Sequence, residues 1–264
     1  MFSEICKLGP ITSHAYGVCM AVGFLLAWHL AAKLNADLAA RISGFMIWLM
    51  VGAILGARIA YVWEHWQAEF AHAPANIMRI DQGGLMFYGG LIGAIATLLL
   101  YCRLAAVNFF KVADLFVAVL PLGHCFGRIG CFLHGCCYGA RTDGVLGVCF
   151  PAHAPAWWEQ VNAGLLPRTA ACSLPVLPTQ LFEAGANLLL FLAMYLIYRR
   201  FGTRTGFASG AYLIGYAIVR FGMEFLRGDP RLAVAGLSIG QTISAALFLA
   251  GALILLIVQR QKRS

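Results

Sequence analysis

Apolar runs about twenty residues long, separated by shorter polar stretches, recur along the chain, and within each run the apolar positions are continuous rather than alternating. Alternation would read as barrel strands. Unbroken runs of this length read as helices crossing a bilayer whose apolar core is about 30 Å thick. Seven windows fall near residues 12–33, 43–64, 84–104, 112–133, 178–199, 205–226 and 237–259. Between the fourth and fifth lies a long connection, residues 134–177, whose FPAHAPAWWEQVNAGLLP is rich in Pro, Trp and Gly and reads as an external loop subdomain or lid. The predicted fold is an all-α polytopic membrane protein, a single transmembrane domain over residues 1–264 with this subdomain inserted.

Composition narrows the picture further. The 264 residues are 61% hydrophobic and 11% charged, against about 25% charged in soluble domains, and the mean hydropathy is +0.79. The net charge of +8 is a topology signal and does not imply nucleic acid. With the N-terminus outside, the inner segments hold Lys33, Arg41, Arg103, Lys111, Arg199, Arg200, Arg204, Arg260, Lys262 and Arg263, ten in all, and the outer ones hold six: Lys7, Arg79, Arg141, Arg168, Arg227 and Arg231. That bias predicts N-out and C-in. Glu4 and Pro10 precede any apolar run, so the start does not read as a signal peptide and the first span is expected to stay. Nine scattered cysteines do not form a disulfide framework, and most are expected as free thiols.

An ionisable group inside a span is expensive and is by default a functional candidate. In this topology Tyr16, Arg58, Tyr88, Arg128, Glu183, Arg220 and Glu224 all fall toward the outer ends of their helices. In RFGMEFLRGD the spacing of Arg220, Glu224 and Arg227 puts them on one helical face, so Glu224 can hold Arg220. A structural ion pair or snorkelling arginines would explain any single one of these residues. Three intramembrane arginines with fewer carboxylates leave excess positive charge, which suits an anion, and the planar guanidinium fork matches phosphate. An outer-leaflet phospholipid head group supplies one.

Gly83, Gly84, Gly89, Gly90 and Gly93 in one segment, and Gly123, Gly127, Gly130, Gly135 and Gly139 around Arg128, permit close approach of either helices or lipid to the backbone. The second cluster also suggests a broken or tightly turned helix end. His124, Cys125, Cys131, His134, Cys136 and Cys137 crowd there, but Cys136 and Cys137 are adjacent, and only isolated Cys149 and Cys172 follow. Zinc ligands usually come as C-x₂₋₄-C pairs, so no metal is expected.

GRIGCFLHGCCYG, residues 127–139, resembles the prolipoprotein diacylglyceryl transferase pattern G-R-x-G-N-F-x-N-x-E-x-x-G. LGPITSHAYG, GARIAYV, FYGGLIGA (the family's H-G-G-L-I-G), PTQLFEA (P-S-Q-L-Y-E) and RFGMEFLRGD (R-F-x-x-E-F-x-R) follow the family's order from about residue 9 to 230. Tyr88 stands where the family has His, and Cys131, His134 and Cys136 stand at its two Asn and its Glu.

The resemblance implies seven N-out spans in a bacterial inner membrane with the site toward the periplasmic face, and no cofactor. It implies transfer of the diacylglyceryl group of phosphatidylglycerol to the lipobox cysteine of a preprolipoprotein signal peptide. It further implies Arg128 and Arg220 as catalytic phosphate-binding residues, Glu224 orienting Arg220, Tyr16 on the head group, and Gln180, Glu183 and Arg227 around them. Arg58, Gly89, Gly90 and Gly139 are expected at the substrate, and Tyr88 is expected to position the lipid or donate a hydrogen bond. Two alternatives are a diverged relative with another acceptor and a membrane thiol oxidoreductase using Cys136 and Cys137.

Overall fold

The computed structural model describes residues 4–8, 11–71, 73–79, 83–227, 233–234 and 237–261. Arg231, Lys262 and Arg263 of the charge bias, Gly9 and Pro10 of the first family segment and Gly228 and Asp229 of the last lie outside these residues. In chain order the elements are β1 (Glu4–Leu8), β2 (Ile11–His14), α1 (Ala15–Leu34), α2 (Ala36–Ser43), α3 (Met46–Glu64), α4 (Phe87–Leu104), α5 (Phe109–His134), α6 (Pro155–Asn162), α7 (Thr179–Phe201), α8 (Phe207–Glu224), β3 (Ala233–Val234), β4 (Leu237–Ser238) and α9 (Ile239–Gln261). The protein is a helical, polytopic membrane protein. Among the described residues six helices, α1, α3, α4, α5, α7 and α9, are long and apolar enough to cross a bilayer. Helix α8 matches the sixth expected window in position but carries Arg220 and Glu224 along with Ser, Tyr and Gly. Leu25, Ile59, Ile92, Leu189 and Leu249 are well exposed on the long helices, which only a lipid solvent makes favourable.

Two short antiparallel pairs, β1 with β2 and β3 with β4, were not foreseen. The first occupies residues 11–14, where the first span was expected to have begun, so the helix starts at Ala15.

The described residues group into two compact units, 35–112 and 1–34 with 113–264. In the unit 35–112, α3 and α4 pack through glycines: a Cβ on Gly56 would lie 2.8 Å from the Gly93 Cα, and one on Gly89 would meet the Gly56 carbonyl. Thr97 Oγ1 donates to the Gly93 carbonyl at 2.7 Å. Small residues at this spacing let two backbones touch where no hydrophobic effect drives them together.

In the other unit Asp114 is 1% exposed and accepts from the Gly206 and Ser209 backbone N–H groups at 2.6 and 2.7 Å and from the Ser209 hydroxyl at 2.6 Å. It thus satisfies the first N–H groups of α8, which a helix start leaves without partners. Within residues 135–178, Phe150, Ala156 and Val176 are buried together, with Tyr138, Ala154 and Phe132 of α5 packed against them. The Trp157 indole donates to the Ala170 carbonyl at 2.8 Å, and Gln160 accepts from Leu174 N–H at 2.7 Å.

Candidate anion site and its surroundings

Positions 124 and 128 share one face of α5, and 180, 183 and 187 share one face of α7, by helical spacing. These faces meet. Arg128 Nη2 lies 3.0 Å from Glu183 Oε1, and His124 Nε2 lies 3.5 Å from the same oxygen; the Glu183 side chain is 5% exposed. A third face comes from α8, where Tyr212, Tyr216, Arg220 and Glu224 are four residues apart. Arg220 Nη2 and Glu224 Oε2 are 3.0 Å apart. The Tyr216 ring lies 5.8 Å from the His124 ring and stacks on Tyr212. The charges of Arg128 and Arg220 both bear on His124.

Glu224 is itself fixed from α9: Ser238 Oγ donates to its Oε1 at 2.8 Å, and a Cβ on Gly240 would lie 2.7 Å from its carboxylate. The carboxylate therefore rests at the N-terminus of α9, where backbone N–H groups favour negative charge. Among the described residues each arginine is paired with one carboxylate rather than neutralised by several. Arg220 Nη1 is buried with no hydrogen-bond partner among the described residues, and a buried cationic donor left unmade is costly unless a ligand satisfies it.

Tyr16 lies in the first turn of α1 and approaches α5 closely, since a Cβ on Gly130 would lie 3.0 Å from its ring; the Arg128 charge reaches it. Gln180 is fully buried and donates to the Cys136 carbonyl at 2.7 Å, while Thr179 Oγ1 donates to the Cys137 carbonyl at 3.1 Å. Gly139 N–H donates to the Leu177 carbonyl at 2.9 Å, and a Cβ there would lie 2.6 Å from the Leu226 carbonyl oxygen, so this crossing admits only glycine. Arg227 follows α8, and its charge bears on Cys137.

The unit 35–112 holds the remaining expected residues. Arg58 is 7% exposed, and Nε, Nη1 and Nη2 donate to the carbonyls of Ile77, Gly83, Gly84, Asn76 and Arg79 at 2.7–3.2 Å. All five guanidinium hydrogens are thereby used on backbone, which makes Arg58 a clasp for residues 76–79 and 83–84. Tyr88 is 56% exposed and meets Phe87 edge to face. Gly89 is a contact point of the α3–α4 packing, and a Cβ on Gly90 would lie 3.3 Å from the Ala53 carbonyl.

Helix α5 runs unbroken through Pro121 and ends in a tight turn. Gly135 takes a left-handed φ of 82°; its N–H bonds back to Phe132, and Cys136 N–H bonds to Cys131. This Schellman pattern lays the second residue past the helix over the last turn, which brings Cys136 onto Cys131. Sequence spacing, which weighed Cys136 and Cys137 as an adjacent pair, could not show this. Cys137 has its own left-handed φ of 62°, and the Sγ atoms of Cys131, Cys136 and Cys137 all lie within 4.8 Å of one another. Hydrogen bonds from Cys131 and Cys136, aided by Arg128 and Arg227, push the Cys137 thiol down, and Cys136 is pushed up. Cys149 and Cys172, isolated in the sequence, have thiols that interact.

His124 and Tyr216 were not singled out for this site beforehand, although their four-residue spacing from Arg128 and Arg220 was visible. Comparisons with known proteins bear on the whole chain. Residues 3–257 match the family model described as prolipoprotein diacylglyceryl transferase. A Stenotrophomonas maltophilia protein named phosphatidylglycerol–prolipoprotein diacylglyceryl transferase is 34% identical, with 97% of this chain and 90% of that one covered. Proteins of the same name from Pseudoalteromonas atlantica and Bordetella bronchiseptica are 35% and 31% identical, with 98% and 93% of this chain and 90% and 91% of theirs covered.

Proposed function

The chain belongs to the prolipoprotein diacylglyceryl transferase family, and from that premise we propose that it moves the diacylglyceryl group of phosphatidylglycerol onto the lipobox cysteine of a preprolipoprotein, the first step of lipoprotein maturation. The substrate thiolate attacks the glycerol carbon that carries the phosphate ester. A carbon–sulfur bond forms, the carbon–oxygen bond to phosphate breaks, and glycerol phosphate leaves with that electron pair.

The observation that carries the site is the buried Nη1 of Arg220, without a hydrogen-bond partner among the described residues, on a helix whose Tyr216 meets the His124 ring beside the Arg128–Glu183 pair. Two preorganised guanidiniums suit a phosphodiester and stabilise the negative charge that grows on it as the bond breaks. Glu183 and Glu224 hold the two forks in place, and Tyr16 hydrogen-bonds the head group. Gln180, Gly139 and Arg227 support the turn after α5 that borders the cluster. His124 is oriented by Glu183, and the substrate thiol, already partly ionised at neutral pH, gives up its proton without a strong base. Tyr88 donates a hydrogen bond to the lipid, and Arg58, Gly89 and Gly90 keep their unit in shape for it. In this reading the chain works as one membrane domain of seven spans, α8 included, N-out and C-in, in the bacterial inner membrane. The site faces the periplasmic side beside the 134–177 subdomain.

Phosphatidylglycerol labelled in its terminal glycerol tests the proposal. Purified protein should release labelled glycerol phosphate only when a lipobox peptide with a free cysteine is present. Release without peptide would make the site a hydrolase, and no release with peptide would remove the reading.

A further inference from the structure

The transfer chemistry proposed above does not use the Cys131, Cys136 and Cys137 thiols, yet the fold builds them into one cluster. Cys131 closes the last turns of α5, and the Schellman turn at Gly135 presses Cys136 against it. Left-handed backbone at Cys137, a conformation costly for a residue with a Cβ, turns the third thiol to the same place. The Cys136 and Cys137 carbonyls are pinned by Gln180 and Thr179 of α7, so the turn is fixed from both sides. Such backbone strain at an exposed cysteine points to a function for its side chain.

We propose that these three cysteines form a binding site for one thiophilic d¹⁰ cation, Cu(I) foremost. With metal–sulfur bonds of about 2.3 Å, three sulfurs at the corners of a plane trigonal site stand about 4 Å apart, a small contraction from the 4.8 Å limit observed; Cys136 and Cys137 are already at 3.6 Å. Soft thiolates select Cu(I) or Zn(II) over harder ions. Structural zinc completes a tetrahedron, and among the described residues the cluster has three members, a number that suits trigonal Cu(I). Binding would displace the three thiol protons and leave two net negative charges. The Arg128 and Arg227 charges that reach Cys137 compensate them. Half-exposure of the cluster, with Cys137 open to solvent and the other two partly buried, gives the ion a way in.

The test uses the full chain in detergent, reduced and kept free of oxygen, titrated with Cu(I) against a coloured Cu(I) chelator. One Cu(I) per chain should be retained, and X-ray absorption should find three sulfur neighbours. Cys131→Ser, Cys136→Ser and Cys137→Ser should each weaken retention at least a hundredfold, and a Cys149→Ser, Cys172→Ser double variant should not change it. No retained ion, fewer than three sulfurs in the unaltered protein, or retention that survives loss of both Cys136 and Cys137 would overturn the proposal. The sulfur count comes from the unaltered chain, so a variant that fails to fold does not remove the test. No lipid is involved, and the result stands apart from the transferase reading.

Discussion

Arg128 and Arg220 are held by single carboxylates at 3.0 Å, which leaves the rest of each planar fork for a phosphate. Lysine keeps the charge but offers a point donor instead of a two-pronged one. Arg128→Lys and Arg220→Lys should each lower peptide-dependent release of glycerol phosphate by about 10²–10³; near-normal rates in both would make these arginines structural. Tyr88 stands at the family's histidine, but a substrate thiol with a pKa near 8.5 is already a few per cent thiolate at neutral pH. Tyr88→Phe should therefore cost roughly tenfold to a hundredfold, Tyr88→His should stay active, and the rate should still rise with pH as the substrate thiol ionises. A folded Phe variant that binds lipid yet makes no thioether at any pH would make Tyr88 the base. The arginines, Glu183 and Glu224 were legible because charge inside an apolar run is conspicuous. The use of Arg58 was not, since its five carbonyl partners lie 18 to 26 residues away in a polar connection.

Between elements, the start of α8 depends on one buried carboxylate. Asp114→Ala would leave buried donors at Gly206 and Ser209 unmet, at a cost of about 1–3 kcal/mol for each. The thermal midpoint of the detergent-solubilised variant should fall clearly, and an unchanged midpoint would contradict this account of the helix start. The sequence pattern located the long helices to within a few residues, as for α7, expected over 178–199 and found at Thr179–Phe201, because twenty-residue apolar runs have no competing reading in lipid. It missed the β1–β2 hairpin and the doubling back of Cys136 onto Cys131. Both depend on how a few residues pair after a turn rather than on periodicity.

For the whole molecule, the pattern and the structure agree on a polytopic helical protein; among the described residues six helices are long and apolar enough to cross a bilayer, and α8, at the sixth expected window, is more polar. Sidedness rests on the ten-to-six division of Lys and Arg, so a reporter fused after Ser264 should be active only in the cytoplasm. Activity only on the outer side would reverse the topology and the placement of the site. The central claim, transfer of a lipid to a thiol, is tested most directly by the mass of the acceptor. The purified protein is incubated with phosphatidylglycerol of defined acyl chains and a lipobox peptide. The peptide should gain the mass of one diacylglyceryl group, carried on cysteine as a thioether, and the same peptide with Ser in place of Cys should gain nothing. An unmodified cysteine peptide, or an equal gain on the serine peptide, would contradict the account.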